Sequence, residues 1–217
     1  RVDMIEHVMA ALAGLGIDNC DVGVTAQEMP GVDGSAQPFV DALDSVGVEQ
    51  QLGELFSIEV SEVIRKECGD SWIEARPAVH GDYSVRFELD YAHEPIIGQQ
   101  VAEVAITPES FRREVASCRT FVLECEAMEL RRRGLGEGVT NRDLLVFDAA
   151  GPIDNTLLFE NECARHKLLD VVGDLALAGR PIVGQIVAHR SGHRLNAALA
   201  AELATRFANA QPVRVSA

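Results

Sequence analysis

His166 and Asp170 stand four residues apart in ECARHKLLDVVGDLALA (162–178). That spacing puts both on one face of a helix, where a neutral imidazole and a carboxylate can reach one divalent ion. Asp174 continues the face one turn on, as an outer partner for a ligand or a charge-pairing group. The same spacing also describes a plain solvated face. Glu6-His7 opens an otherwise apolar segment. There His7 can be a third ligand and Glu6 the base that takes a proton from an activated water, or the pair only places charge at a helix start. His193, in the turn SGHRLN (191–196), can serve as general acid or electrostatic stabiliser, or cap the helix that follows. Thr120, in CRTF (118–121), offers one hydroxyl to an oxyanion. Asp90 and His93 in LDYAHEP, with His80 and His189, read as structural or surface groups.

Positioning these groups requires two helices far apart in the chain. Met4, Val8, Leu12 and Leu15 recur at helical spacing over 3–15, and Gly14 and Gly16 end the run. Residues 162–178 give the strongest helical pattern, stopped by Gly179 and Pro181. EHVMAALAGLGIDN (6–19) echoes RHKLLDVVGDLALAG (165–179), which suggests two related α/β halves, each bringing one histidine-bearing helix. Between them, Asp21–Thr25 alternates weakly as a strand, 29–38 is a turn-rich loop, Ser35–Val46 a short helix and Gly47–Glu54 a linker. Period-two alternation from Leu55 to Ile106 predicts an antiparallel sheet. Helices are expected over 109–116, 122–133 and His193–Asn209. Short strands are expected at Leu144–Phe147 and Thr156–Phe159, and a buried strand at Ile182–Ala188.

With 47% hydrophobic and 24% charged residues, the chain can bury a substantial core. A net charge of −15 argues against nucleic acid and anionic membranes as partners. No apolar run approaches the roughly 20 residues of a membrane span. Five cysteines, an odd number without a CxxC pair, fit reduced cytoplasmic thiols. The chain enters a helical pattern within six residues of Arg1, and we read it as beginning inside a domain.

Taken together and in order, IEHVMAALAGLGIDN (5–19), MPGVDGSAQPFV (29–40), CRTF (118–121), RHKLLDVVGDLALAG (165–179) and HRSGHRLN (189–196) resemble the UDP-3-O-acyl-N-acetylglucosamine deacetylases, the zinc amidases of lipid A biosynthesis. The likeness covers most of the chain, although 134–147 follows the family's glycine-rich loop only loosely. It implies His7, His166 and Asp170 as zinc ligands, with Fe2+ an acceptable substitute. Glu6 would be the general base, His193 an acid/base or electrostatic group oriented by Asp174, and Thr120 an oxyanion partner. Lys167 would meet the substrate's phosphates with Arg190 beside it, and Phe121 would line the nucleotide-sugar and acyl region.

The resemblance also implies an α+β fold of two related domains, with helices packed between their sheets and zinc at the junction. Residues 1–53 would be the C-terminal part of the first domain and 54–217 the second. The expected protein is a cytoplasmic, monomeric hydrolase of a UDP-sugar lipid. The rival expectation is an inactive fragment or homologue that binds a nucleotide-sugar lipid or a partner protein. A third is a hydrolase of another acetylated sugar.

Overall fold

A computed structural model describes residues 1–207 other than Glu54, His80, residues 135–138 and Arg142. Its helices are α1 (Glu6–Gly14), α2 (Gln37–Val46), α3 (Pro108–Glu114), α4 (Glu124–Arg132), α5 (Glu162–Ala176) and α6 (His193–Phe207). Its strands are β1 (Ile58–Glu59), β2 (Ile64–Cys68), β3 (Ser71–Arg76), β4 (Tyr83–Tyr91), β5 (Gly98–Ala105), β6 (Phe121–Leu123), β7 (Leu145–Phe147) and β8 (Ile182–His189). The fold is α+β, as expected.

Alternation along β4 buries Val85, Phe87 and Leu89, and β5 adds Ala102 and Val104. The residues between them form a polar ladder: Arg86 meets Glu88 and Glu103 at 3.0 Å each. A sheet with one apolar face needs a cover. α5 supplies it over β4 and β5, and α6 packs beside α5 against β2 and β3. On its other flank α5 packs against α1. Leu168, Leu169, Val171, Val172 and Leu175 of α5 are buried as a result.

The sheet departs from the antiparallel expectation. β2–β3 and β4–β5 are antiparallel pairs, but β8 lies between them, antiparallel to β3 and parallel to β4, with β1 adding parallel to its start. Alternation reveals a strand's faces and is silent about its neighbours, so the C-terminal strand's place at the centre left no mark in the pattern. Two expected strands are absent. Asp21–Val24 is exposed and unpaired in any ladder. In Thr156–Phe159, backbone groups go to a buried ion pair instead: Thr156 O accepts from Arg119 and Leu158 N–H donates to Glu162. Phe121–Leu123 is a strand, not the start of a helix, and pairs with β7 in a small parallel sheet. α3 begins with a capping box in which Thr107 and Ser110 exchange bonds. The expected end of α6 at Asn209 lies outside the described residues.

Candidate metal centre and cleft

α1 can reach the face of α5 that carries His166 and Asp170 because the crossing point has almost no side chains. Ala10 and Ala11 are fully buried on α1, and Gly173 faces them on α5. A Cβ added to Gly173 would sit 2.0 Å from the backbone oxygen of Glu6 and 3.1 Å from the amide nitrogen of Ala10. This contact brings the first turn of α1, with Glu6 and His7, over His166 and Asp170.

His7, His166 and Asp170 are all buried, and one donor atom of each lies within 4.8 Å of the others. The two imidazoles meet edge to face at 5.2 Å between ring centres. Asp170 Oδ1 lies 3.4 Å from His166 Nε2 and 3.9 Å from His7 Nε2. This oxygen is buried and has no hydrogen-bond partner among the described residues. Oδ2 of the same carboxylate is occupied: Lys167 Nζ donates to it at 2.7 Å. His166 Nδ1 donates to the Cys118 carbonyl at 3.1 Å, because a carbonyl can only accept. The lone pair of Nε2 therefore faces Oδ1, another acceptor. An unsatisfied buried oxygen against an imidazole lone pair is unfavourable unless a cation lies between them. The donor set fits a divalent ion of the zinc type, two nitrogens and one oxygen.

The electrostatics keep these donors in their ligating forms. Burial, with His7 and Lys167 adding to it against the pull of Asp170, pushes His166 down to about 4, so it is neutral at physiological pH. Burial works against the Asp170 carboxylate, but Lys167, His166 and His193 together hold its carboxyl below the usual carboxylate range. Lys167 stays charged: burial opposes its ammonium and Asp170 outweighs that.

The cluster lies at the wall of a cleft of about 500 Å³, whose lining also includes Glu6, Thr120, Phe121, Lys167, Arg190 and His193. Asp174 is buried behind it, accepting from His193 Nδ1 at 2.9 Å and from the Asn196 amide at 2.8 Å. The hydrogen bond to Asp174 raises the His193 pKa, against partial burial. Thr120 Oγ1 is 3.2 Å from His166 Nε2, and its hydroxyl donates to Gly34 O at 2.9 Å. Gly34 has φ +74° and passes so close to Asp143 that a Cβ would lie 2.4 Å from that carbonyl oxygen. Phe121 meets Tyr91 edge to face at 5.6 Å. Arg190 lies 3.9 Å from Asp90.

Every candidate residue thus falls in or directly behind one cleft. Asp90 and His93, read from sequence as structural or surface groups, also line it, and His93 stacks on Tyr91 at 5.6 Å. His189 does not; it stacks on Trp72. His80 lies outside the described residues. Sequence reasoning missed Gly173, Asn196 and the Arg119–Glu162 pair. Only the fixed offset of Glu162 before His166 hinted at the last.

A family model described as UDP-3-O-acyl N-acetylglycosamine deacetylase matches residues 1–205. The chain belongs to this family. A UDP-3-O-acyl-N-acetylglucosamine deacetylase of Anaeromyxobacter sp. is 40% identical over 200 residues, which cover 92% of this chain and 65% of that protein. One of Brucella ovis is 41% identical over 199 residues, covering 90% of this chain and 68% of the relative. The chain therefore spans about two thirds of the length of these deacetylases. No helix among the described residues is long and apolar enough to cross a membrane.

Proposed function

We propose that this chain hydrolyses the N-acetyl group of UDP-3-O-acyl-N-acetylglucosamine, giving the free amine and acetate, in the cytoplasm as part of lipid A biosynthesis. The observation that carries the reading is the unpartnered Asp170 Oδ1, buried against two imidazoles at the wall of a cleft. His7, His166 and Asp170 would hold zinc, and the same donors accept Fe2+. Such an ion supplies Lewis acidity toward an amide oxygen and makes a bound water acidic near neutral pH.

The remaining work falls to the chain's own side chains. Glu6, next to His7 and on the cleft wall, takes a proton from the attacking water at its carboxylate. His193, whose protonated form the hydrogen bond to Asp174 favours, can stabilise the developing negative charge and return a proton to the departing amine nitrogen. The Thr120 hydroxyl lies beside His166 and can turn from Gly34 toward the oxyanion. Lys167 uses one N–H on Asp170, so its other two are available to a phosphate oxygen. Lys167 and Arg190 place local positive charge in the cleft of a protein whose net charge is −15. Phe121 and Tyr91 provide an apolar wall. We read residues 1–53 as part of a first domain and 54–217 as a second, with the metal where α1 meets α5.

The direct test is incubation of the metal-loaded chain with UDP-3-O-acyl-N-acetylglucosamine, following acetate and free amine. Equal release of both is expected, and a chelator should abolish it. Tight binding of the substrate with no acetate released would replace hydrolysis by a binding role. Release of acetate only from other acetylated sugars would overturn the substrate.

A further inference from the structure

Two residues flanking Arg119 lie against the two nitrogens of His166. The Cys118 carbonyl accepts from Nδ1 at 3.1 Å, and Thr120 Oγ1 lies 3.2 Å from Nε2. The side chain of Arg119 itself returns to α5 one turn earlier. Its Nε donates to Glu162 Oε1 at 2.8 Å, its backbone N–H to the same oxygen at 3.2 Å, and its Nη2 to Oε2 at 3.1 Å. Glu162 Oε2 also accepts from Leu158 N–H at 2.6 Å. The rest of the guanidinium is bound by Asn155 Oδ1 at 2.8 Å and Thr156 O at 2.7 Å. Glu162 is 0% exposed. It precedes His166 by four residues and so shares its helical face. The bonds close a ring: α5 grips Arg119 at one turn, and the carbonyl of its neighbour Cys118 binds the His166 imidazole at the next.

We propose that the Arg119–Glu162 pair, its carboxylate fully buried, is a positioning device for His166, fixing the tautomer and ring orientation of a metal ligand; this rests on the reading of His166 as a ligand. Stability alone is a poor account of the pair, since an apolar pair of similar volume would serve the core as well or better. Geometry is a good account. A two-pronged guanidinium–carboxylate contact allows little rotation or slip. It locks residues 118–120 to the helix, so the carbonyl of Cys118 always faces Nδ1 and the Nε2 lone pair always faces Asp170. Outer partners of this kind change metal affinity by about 10- to 100-fold.

The test compares wild type, Arg119→Lys and Glu162→Gln. Arg119→Lys keeps the charge and loses the fork; Glu162→Gln keeps the shape and loses the charge. Zinc affinity is measured by chelator competition well below each melting midpoint, and the His166 tautomer by 15N NMR of the metal-free proteins. The expected result is a single Nδ1–H tautomer in wild type. Both variants should bind zinc about 10- to 100-fold more weakly and show a mixed tautomer. Folded variants with wild-type zinc affinity and a single tautomer would make the pair merely structural. If neither variant folds, the wild-type spectrum still decides, because an Nε2–H tautomer would overturn the proposal. A wild type that binds no zinc yet shows the Nδ1–H form would strike the metal reading and leave the clamp standing.

Discussion

Glu6→Ala should lower turnover by about 10²- to 10⁴-fold, the usual worth of a general base, while the protein keeps its fold and its metal. Glu6 stands beside His7 but is not one of the three donors that converge. Among the described residues nothing pairs with its carboxylate, so its removal strands no partner. What the fold loses is one acidic group in the first turn of α1, worth about 0.3–1 kcal/mol against the helix dipole. Alanine's high helix propensity offsets part of that. A large kinetic effect on an almost unchanged melting curve and metal content separates a base from a structural carboxylate. Near-normal turnover would remove Glu6 from the reaction.

Gly173→Ala should damage the centre without touching any functional group. The added carbon would lie 2.0 Å from the Glu6 carbonyl oxygen, against about 3.3–3.6 Å for a relaxed carbon–oxygen contact. Backbone stands on both sides of the contact, so neither side can rotate out of the way. α1 must move off α5 by more than an ångström, carrying Glu6 and His7 away from His166 and Asp170. Overpacking of this sort costs about 1–3 kcal/mol, and a 1 Å misplacement of reacting groups can cost about 10²-fold in rate. The expected result is a lowered melting midpoint, weakened metal affinity and a loss of turnover. Melting curves and metal titration check it. Wild-type metal affinity in a folded Gly173→Ala protein would show that the close crossing is not what assembles the ligands.

How much of this could be read in the chain varied with the range of the interaction. The helix carrying His166, Asp170 and Asp174 was legible because apolar period, stop signals and donor spacing are all local. The echo between 6–19 and 165–179 suggested two related halves, each with one histidine-bearing helix; both segments are helical, and α1 packs on α5. That His7 and His166 face each other was not local information; it rested on the ordered motifs of a known family. Thr120 was almost silent, since one hydroxyl carries no pattern. Glu162 carries no sequence signal beyond an acidic group at a helix start, yet it is fully buried and paired with an arginine 43 positions away. The same pair explains why Thr156–Phe159, apolar enough for a strand, is not one. The place of β8 at the centre of the sheet belongs to the same class: alternation shows faces, and only the assembled fold shows neighbours.

The most direct measurement is elemental analysis of the purified chain and of its His7→Ala and His166→Ala variants. One divalent metal per wild-type chain is expected, with loss of stoichiometric metal in both variants, although residues 7 and 166 lie far apart in the sequence. Metal at wild-type stoichiometry in either variant, or none in the wild type, would contradict it.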